Sequence, residues 1–315
     1  MLGRAANGIF WMSRYLERAE NIARLLEVGF RLAMTRGNEG SPEEEWRSVL
    51  VTTGLWDAFT ASDNELTGQN AFNFVLRDKE NPASVLAMIE NARTNARMVR
   101  TSITSEVWET TNESWMALRD ALARPVRETN LGEVLALIRR QTTQVRGAID
   151  GTMLRNEIFN FSRLGTFIER ADNTARILDV KYYVLLPSAL SVGSSFDIGQ
   201  WDTLLRSVSG RGAYRYLNHG RMTARGIADL LIKEGKFPRS LTFCYAKLRS
   251  NMASLALEYG KETDAHELLR ETGTRLTQTT VDDILDHGLH EFLLAIIHDT
   301  AQIANAIGTE YRFTN

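Results

Sequence analysis

The amino-acid sequence predicts an all-α fold, a helical bundle built from two tandem repeats with pseudo-twofold symmetry. Apolar residues recur at three- and four-residue spacing through long segments, as at Val85, Ile89 and Ala92, and this period is that of an amphipathic helix. No stretch alternates strictly in β-branched residues, so strands are not indicated. The five prolines fall where helices are expected to begin or end.

Capping residues beside two of these prolines indicate helix starts. Ser41 is expected to be an N-cap, with Pro42 at the first helical position and Glu44 at the capping-box position. Further along, Asn81 is expected to be the N-cap of a helix that Pro82 opens. Each half of the chain is therefore predicted to hold one long helix followed by several shorter ones.

One polar and charged phrase occurs twice in the chain. YLERAENIARLLEV runs from Tyr15 to Val28, and FIERADNTARILDV runs from Phe167 to Val180, 152 positions later. Eight of the fourteen positions are identical, whereas average residue usage gives about one identity by chance. Such self-similarity is the mark of an internal repeat. We predict one repeat at 1–150 and another at 151–315, packed as one body because the connection between them is short.

The repeated phrase has a conserved polar side as well as an apolar one. On a helix, Leu16, Ala19 and Leu26 share one face, and the charged residues gather opposite them. A solvent-exposed side could vary freely after duplication, so the persistence of these residues indicates that contacts constrain them. The candidate ligand- or partner-binding residues are Glu17, Arg18, Asn21, Arg24, Glu169, Arg170, Asn173 and Arg176.

Two interpretations of this polar side stay open. In the first, the residues form an ion network between packed helices, in which arginine holds a carboxylate with two hydrogen bonds and the network specifies helix alignment. In the second, they line a cleft that binds a ligand carrying both charges, such as an amino acid or a peptide. A catalytic role for Glu17 or Glu169 as general acid or base is opposed by the neighbouring arginines, which favour the ionised carboxylate.

The duplicated phrase resembles the alpha-E family, a bacterial all-helical family named for its Glu-Arg dipeptide. The resemblance extends over the whole chain and rests on LERAENIARLL, IERADNTARIL, DGTMLR, FPRSLTFC and GLHEFL. It implies that 1–150 and 151–315 are a first and a second alpha-E repeat. It also implies that Glu17–Arg18 and Glu169–Arg170 are the two Glu-Arg pairs, both of them intact here.

The resemblance further implies genomic association with ATP-grasp ligases, a transglutaminase-like peptidase and an NTN-type hydrolase. On that basis we expect an accessory protein of a peptide synthesis or modification system. Its partner would be an ATP-grasp-type ligase or a transglutaminase-like protein, and its ligand a peptide or an amino acid. The alternatives are an enzyme that uses the Glu-Arg site on such a substrate, and a structural module that assembles into homo-oligomers.

Histidines and arginines of the second half offer two further candidates. His287, His290 and His298 are expected on one helix, but they match no specific ligand pattern and Gly288 weakens that helix. No metal and no cofactor are therefore expected. A basic segment is expected to lie along one arc of a helix, as a face for an anion or a partner or as a solvated surface. Its arginines are Arg211, Arg215, Arg221 and Arg225.

Composition limits the remaining classes of function. A net charge of −2 argues against broad electrostatic binding to nucleic acid. No run of 18 apolar residues is present, and the first residues do not resemble a signal peptide, so no membrane association is expected. The single cysteine, Cys244, is typical of a reducing compartment and of a packing residue. We therefore expect a cytoplasmic protein.

Overall fold

A computed structural model describes residues 3–35, 42–184, 195–219 and 222–313 of the chain. Within these ranges every regular element is a helix, and no strand is present. The all-α prediction is confirmed. None of the helices described is long and apolar enough to cross a bilayer.

In the first half, the described residues form one long helix, four shorter ones and two longer helices at the end. The bounds are α1 Gly3–Thr35, α2 Pro42–Thr52, α3 Trp56–Thr60, α4 Gly68–Arg77, α5 Val85–Met98, α6 Ser105–Ala121 and α7 Glu128–Thr152. Helix α1 packs against α2, α5 and α7.

The second half again begins with a long helix. Its bounds are α8 Glu157–Val184, α9 Ser195–Ser207, α10 Arg211–Leu217, α11 Ala224–Ile232, α12 Leu241–Tyr259, α13 Asp264–Gln278, α14 Val281–His287 and α15 Leu289–Glu310. A pseudo-twofold relation between the halves stays a prediction.

The chain divides into two compact units, and the division falls inside α8. One unit comprises Met1–Thr166 with Phe313–Asn315, and the other comprises Phe167–Arg312. In the first unit the ring of Phe313 lies 5.2 Å from that of Phe10 and 6.0 Å from that of Phe161. The first turns of α8 and an aromatic residue from the far end of the sequence therefore help to build the first unit.

Serines two residues after a proline begin the matching helices α5 and α12. The Ser84 side chain accepts a hydrogen bond from the Ala87 backbone N–H at 3.4 Å, and Ser240 does the same for Phe243 at 3.0 Å. The expectation that Asn81 is the N-cap was wrong. Its side-chain oxygen instead accepts from the Ala83 backbone N–H at 3.0 Å, which forms a turn before the helix starts. Helix α2 does begin at Pro42, while Ser41 lies outside the described residues.

A cationic side chain caps the carboxyl end of a neighbouring helix in each half. Arg77 Nε donates to the Leu122 carbonyl oxygen, the C-cap of α6, at 2.8 Å. Lys233 Nζ donates to the Thr279 carbonyl oxygen, the C-cap of α13, at 2.7 Å. The last carbonyls of a helix lack partners within it and carry partial negative charge, so a cation there stabilises the helix end. The two cations stand 156 positions apart, as Ser84 and Ser240 do.

Helix α8 approaches α1 closely at Gly165 within the first unit. A Cβ atom built on Gly165 would collide with the backbone carbonyl oxygen of Phe10. Backbone cannot move aside as the end of a flexible side chain can. Only glycine therefore fits at this crossing.

Alanine substitutions at two helical glycines should change stability in opposite directions. Gly165→Ala should lower the free energy of unfolding by about 1–3 kcal/mol or more, because the backbone must shift. Gly132→Ala in α7, where a Cβ atom would meet nothing within 4 Å, should raise it by up to about 1 kcal/mol. Urea unfolding followed by circular dichroism measures both. A tolerated Gly165→Ala would contradict the close crossing.

Candidate functional site

The first copy of the Glu-Arg motif contains two buried carboxylates that share one arginine. Glu17 and Glu20 on α1 are 3% and 1% exposed. Arg146, on α7, places Nη1 3.1 Å from Glu17 Oε2 and donates through Nη2 to Glu20 Oε2. One guanidinium therefore bridges both carboxylates across the contact between α1 and α7, in the forked geometry for which arginine is suited.

Glu20 is the centre of this cluster. Arg24 lies one helical turn away and donates through Nε and Nη2 to Glu20 Oε1, at 3.0 and 2.8 Å. The hydroxyl of Thr142 on α7 lies 3.5 Å from the other oxygen, Oε2. Both oxygens of this carboxylate thus accept charge-assisted hydrogen bonds, which is how a buried charge is stabilised.

A second interhelical ion pair lies further along the same two helices. Glu27 Oε2 on α1 is 2.6 Å from Arg139 Nη1 on α7, and Glu27 Oε1 is 2.9 Å from Arg31 Nη2. Seven residues separate Glu20 from Glu27, and seven separate Arg139 from Arg146, so each spacing equals about two helical turns. We call the pairs of Arg146 and Arg139 with α1 the α1–α7 ladder.

Sequence reasoning missed the partners in the α1–α7 ladder, although a signal for them exists. Glu20, Arg139 and Arg146 were not among the candidate residues. Glu20 and Glu27 have the same seven-residue spacing as Arg139 and Arg146, which is a signal for these pairs once α7 is known to lie against α1. Of the candidates in this copy, Glu17 and Asn21 are buried, whereas Arg18 and Arg24 are half-buried.

A small cavity adjoins Glu17 and Arg146. Its volume is about 20 Å³, and Ser13, Thr142 and Thr166 also line it. A space of this size holds about one water molecule, whereas small-molecule pockets measure about 300–1,000 Å³. The space beside Glu17 and Arg146 is therefore too small for an amino acid or a peptide.

The second copy is also buried, and its Arg170 contacts a turn of the chain. Glu169, Arg170 and Asn173 on α8 are all buried. Arg170 Nη1 donates to the Pro238 carbonyl oxygen at 3.4 Å, and its guanidinium lies 5.3 Å from the centre of the Phe167 ring. The polar side of α8 thus contacts the turn that leads into α12.

Some contacts of the first copy recur in the second. Arg176 Nε donates to Asp172 Oδ2 at 2.7 Å, as Arg24 does to Glu20. Asp179 occupies the position matching Glu27, and its Oδ1 lies 2.5 Å from Nδ1 of His290 on α15. One pair along the helix is therefore kept, and a histidine contacts Asp179 as Arg139 contacts Glu27 in the first copy.

The position that matches the bridging arginine holds an alanine in the second half. Segments 135–149 and 293–307 share six of fifteen residues, including Thr142 and Thr300. This alignment places Ala304, which is buried, where the first half has Arg146. The surroundings of the Glu-Arg motif have thus diverged between the two copies.

The histidine segment is broken at Gly288. With φ at +118°, this glycine ends α14 and begins α15, so the expectation that His287, His290 and His298 share one helix was wrong. A φ in this range favours glycine. His287 Nδ1 lies 2.8 Å from the Asp283 carbonyl oxygen, and His298 is exposed. Among the residues described, no group of three histidine, cysteine or acidic side chains could hold a metal ion.

The basic segment does not form one continuous helical face. Arg211 lies on α10 and Arg225 on α11, so their expected placement along one helical arc was wrong. Arg211 pairs with Asp202 at 2.8 Å. Arg225 donates to both oxygens of Asp282, at 2.6 and 2.7 Å. Arg215 is exposed, and Arg221 lies outside the described residues.

The fold and the buried motif define an all-helical protein in which a Glu-Arg sequence, present twice, joins central helices to their neighbours. The chain belongs to the alpha-E family, whose model is described as a predicted alpha-helical domain with a conserved ER motif and matches residues 1–311. The resemblance noted in the sequence is therefore confirmed.

Curated relatives come from mycobacteria. The chain is 22% identical over 297 residues to the uncharacterized protein Mb2597 of Mycobacterium bovis and to the uncharacterized proteins MT2643 and Rv2567 of Mycobacterium tuberculosis. Each match covers 89% of this chain and 33% of the relative. The chain thus spans about a third of the length of these relatives. No solved structure matches it significantly.

Removal of the bridging arginine should strongly destabilise the first unit. Arg146→Ala leaves Glu17 and Glu20 buried without their shared cation, which should cost about 3–5 kcal/mol. Arg140→Ala, at an exposed position on the same helix, should change the free energy of unfolding by less than about 0.5 kcal/mol. Urea unfolding measures both. The double variant Arg146→Ala with Glu20→Gln should recover part of the loss, and equal effects at 140 and 146 would contradict the bridge.

The pair between Arg225 and Asp282 should be visible in a titration. The hydrogen bond and the charge of Arg225 hold the pKa of Asp282 below its ordinary value of 3.8. Stabilisation by this pair is therefore present above the ordinary pKa and lost as the pH falls through the lowered one. Arg225→Ala should return the pKa of Asp282 to the ordinary value in a carboxyl NMR titration. Asp283, whose pKa is lowered mainly by hydrogen bonds from Thr280, should stay low and serves as the control.

Proposed function

We propose that this protein is an accessory component of a bacterial peptide synthesis or modification system. In this role it binds a partner enzyme, an ATP-grasp-type ligase or a transglutaminase-like protein, or presents a peptide substrate to it. The observation that carries the proposal is the closed α1–α7 ladder. Glu17 of the first copy is used to hold α1 against α7, so we expect a partner to bind at the outer surface.

The geometry around Glu17 favours this role over catalysis by the Glu-Arg site. A general acid or base must come within hydrogen-bonding distance of its substrate. Glu17 is engaged by Arg146, and the adjoining cavity of about 20 Å³ is far smaller than an amino acid requires. The buried ladder instead gives the surrounding helices a fixed register, which a rigid binding surface needs.

The curated relatives support a modular role. The matching segment accounts for 33% of each relative, so the helical domain there forms one part of a longer chain. Domains that bind or position a partner are commonly joined to other segments in this way. The choice of a ligase or a transglutaminase-like protein as the partner, and of a peptide as the substrate, comes from the family resemblance.

A reconstitution with purified proteins tests the accessory role. The protein should form a complex with the ATP-grasp-type ligase or the transglutaminase-like protein of the same genome in size-exclusion chromatography with light scattering. Its addition should raise the yield of modified peptide measured by mass spectrometry. If neither enzyme forms a complex and the peptide yield stays unchanged, the accessory role is wrong.

Two further variants separate the accessory role from catalysis by this chain. Glu17→Gln and Glu169→Gln should lower the melting temperature, and any loss of peptide yield should follow the loss of folded protein. A variant that keeps its melting temperature but abolishes the yield would instead indicate a catalytic carboxylate.

A further inference from the structure

A groove of about 450 Å³ lies between α12 and α13 in the second unit. We call it the α12–α13 groove, and the residues that decide its chemistry are Arg249, Ser250, Ala253, Glu262, His266 and Arg270. Its volume falls within the range of small-molecule sites. No residue of the Glu-Arg motif lines it, so what the groove binds does not depend on the α1–α7 ladder.

The floor of the groove is buried and fixed. His266 Nδ1 accepts a hydrogen bond from the Thr263 backbone N–H at 2.9 Å, and its Nε2 lies 2.9 Å from the Met252 carbonyl oxygen. Because Nδ1 accepts a hydrogen bond, these contacts place the ring proton on Nε2. Met252 and Leu269, both buried, complete the floor. Since the two ring nitrogens are already used, the floor offers a ligand apolar contact.

Small side chains keep the groove open along α12. Ala246, Ser250 and Ala253 follow one another at intervals of four and three residues, so they share one face of the helix. All three line the groove and are exposed. A row of larger residues at these positions would fill the space beside α13.

The two arginines of the groove differ in their contacts. Arg270 is held by Glu262 at 2.7 Å and by Glu267 at 2.5 Å. The side chain of Arg249 makes no hydrogen bond, ion pair or ring contact with any residue that the structure describes. Its side chain lies beside Gly273 of α13, whose added Cβ atom would be 3.4 Å from Arg249 Cδ. Arg249 is therefore a cation at the groove wall whose five donors remain available.

The charges select a carboxylate over a phosphate. A single guanidinium matches one carboxylate through two parallel hydrogen bonds. Glu262 also lines the groove, and hydrogen bonding from Arg270 holds its pKa below the ordinary value, so it stays ionised at neutral pH. A second negative charge on the ligand would meet this carboxylate, which disfavours a phosphate dianion.

We propose that the α12–α13 groove binds a ligand with one carboxylate and an adjacent apolar group, through Arg249 and the floor of Met252, His266 and Leu269. A free amino acid and the carboxyl terminus of a peptide share this chemistry. The carboxylate bonds to the Arg249 guanidinium, and the apolar group lies on the buried floor.

Titrations of the full chain with four probes test the site. The probes are leucine, glycyl-leucine, N-acetyl-leucine and leucinamide, and the readout is the backbone amide NMR shift of Ala253 and Leu269. Glycyl-leucine and N-acetyl-leucine should give saturable shifts, whereas leucinamide, which lacks the carboxylate, should give none. Saturation by leucine as well would extend the site to free amino acids, and its failure would restrict the site to peptide termini.

Substitution of Arg249 tests its role in binding, and substitution of Arg215, another exposed arginine, provides the control. Arg249→Ala should weaken binding by about tenfold or more, because a charged hydrogen-bonding partner is lost, and Arg249→Lys should weaken it less. Arg215→Ala, at an exposed position outside the groove, should leave the dissociation constant unchanged. Inorganic phosphate is titrated in parallel as a competing anion. Saturation by leucinamide, unchanged binding in Arg249→Ala, stronger binding of phosphate than of N-acetyl-leucine, or no shift with any probe would each overturn the proposal.

This outcome is separable from that of the accessory role. Complex formation with a ligase is measured without the probes, and probe binding is measured without a partner. Either result can therefore fail while the other stands.

Discussion

The guanidinium of Arg146 between two buried carboxylates is the constraint on which the first unit depends. Glu17 and Glu20 lie one turn apart on α1, and two negative charges removed from water are strongly unfavourable unless a cation accompanies them. Arg146 provides that cation from α7. Because a forked guanidinium bonds well in few positions, the bridge fixes how far α7 can slide along α1. The ladder thus contributes alignment more than net stability.

The two copies of the Glu-Arg motif make different contacts with the helices and turns around them. In the first, arginines of α7 neutralise the acids of α1. In the second, Arg170 reaches the carbonyl oxygen of Pro238, and Asp179 pairs with His290. Ala304 occupies the place that aligns with Arg146. A repeated motif can therefore keep its residues while the helices around it supply different partners.

Much of the fold followed from sequence because its signals are local or periodic. Helical spacing predicted the all-α fold, and the duplicated phrase predicted that its polar side was constrained by contacts. Periodicity does not say which helix lies opposite, so Arg146 and Arg139 were missed. Asn81 and Ser84 both favour N-caps, and the choice between them depended on a turn around Pro82. The break at Gly288 depended on a backbone angle that one glycine permits but does not require.

The aromatic contact of Phe313 with Phe10 and Phe161 shows that the compact units of the structure do not coincide with the repeats of the sequence. A repeat in the sequence need not correspond to a unit that folds on its own. Here the first unit includes Gly165 and Phe161, which follow the predicted repeat boundary at residue 150, and also Phe313, which lies near the other end of the sequence. Cutting the polypeptide at residue 150 would remove all three residues, so the segment 1–150 alone would leave Phe10 without its neighbours Gly165 and Phe313.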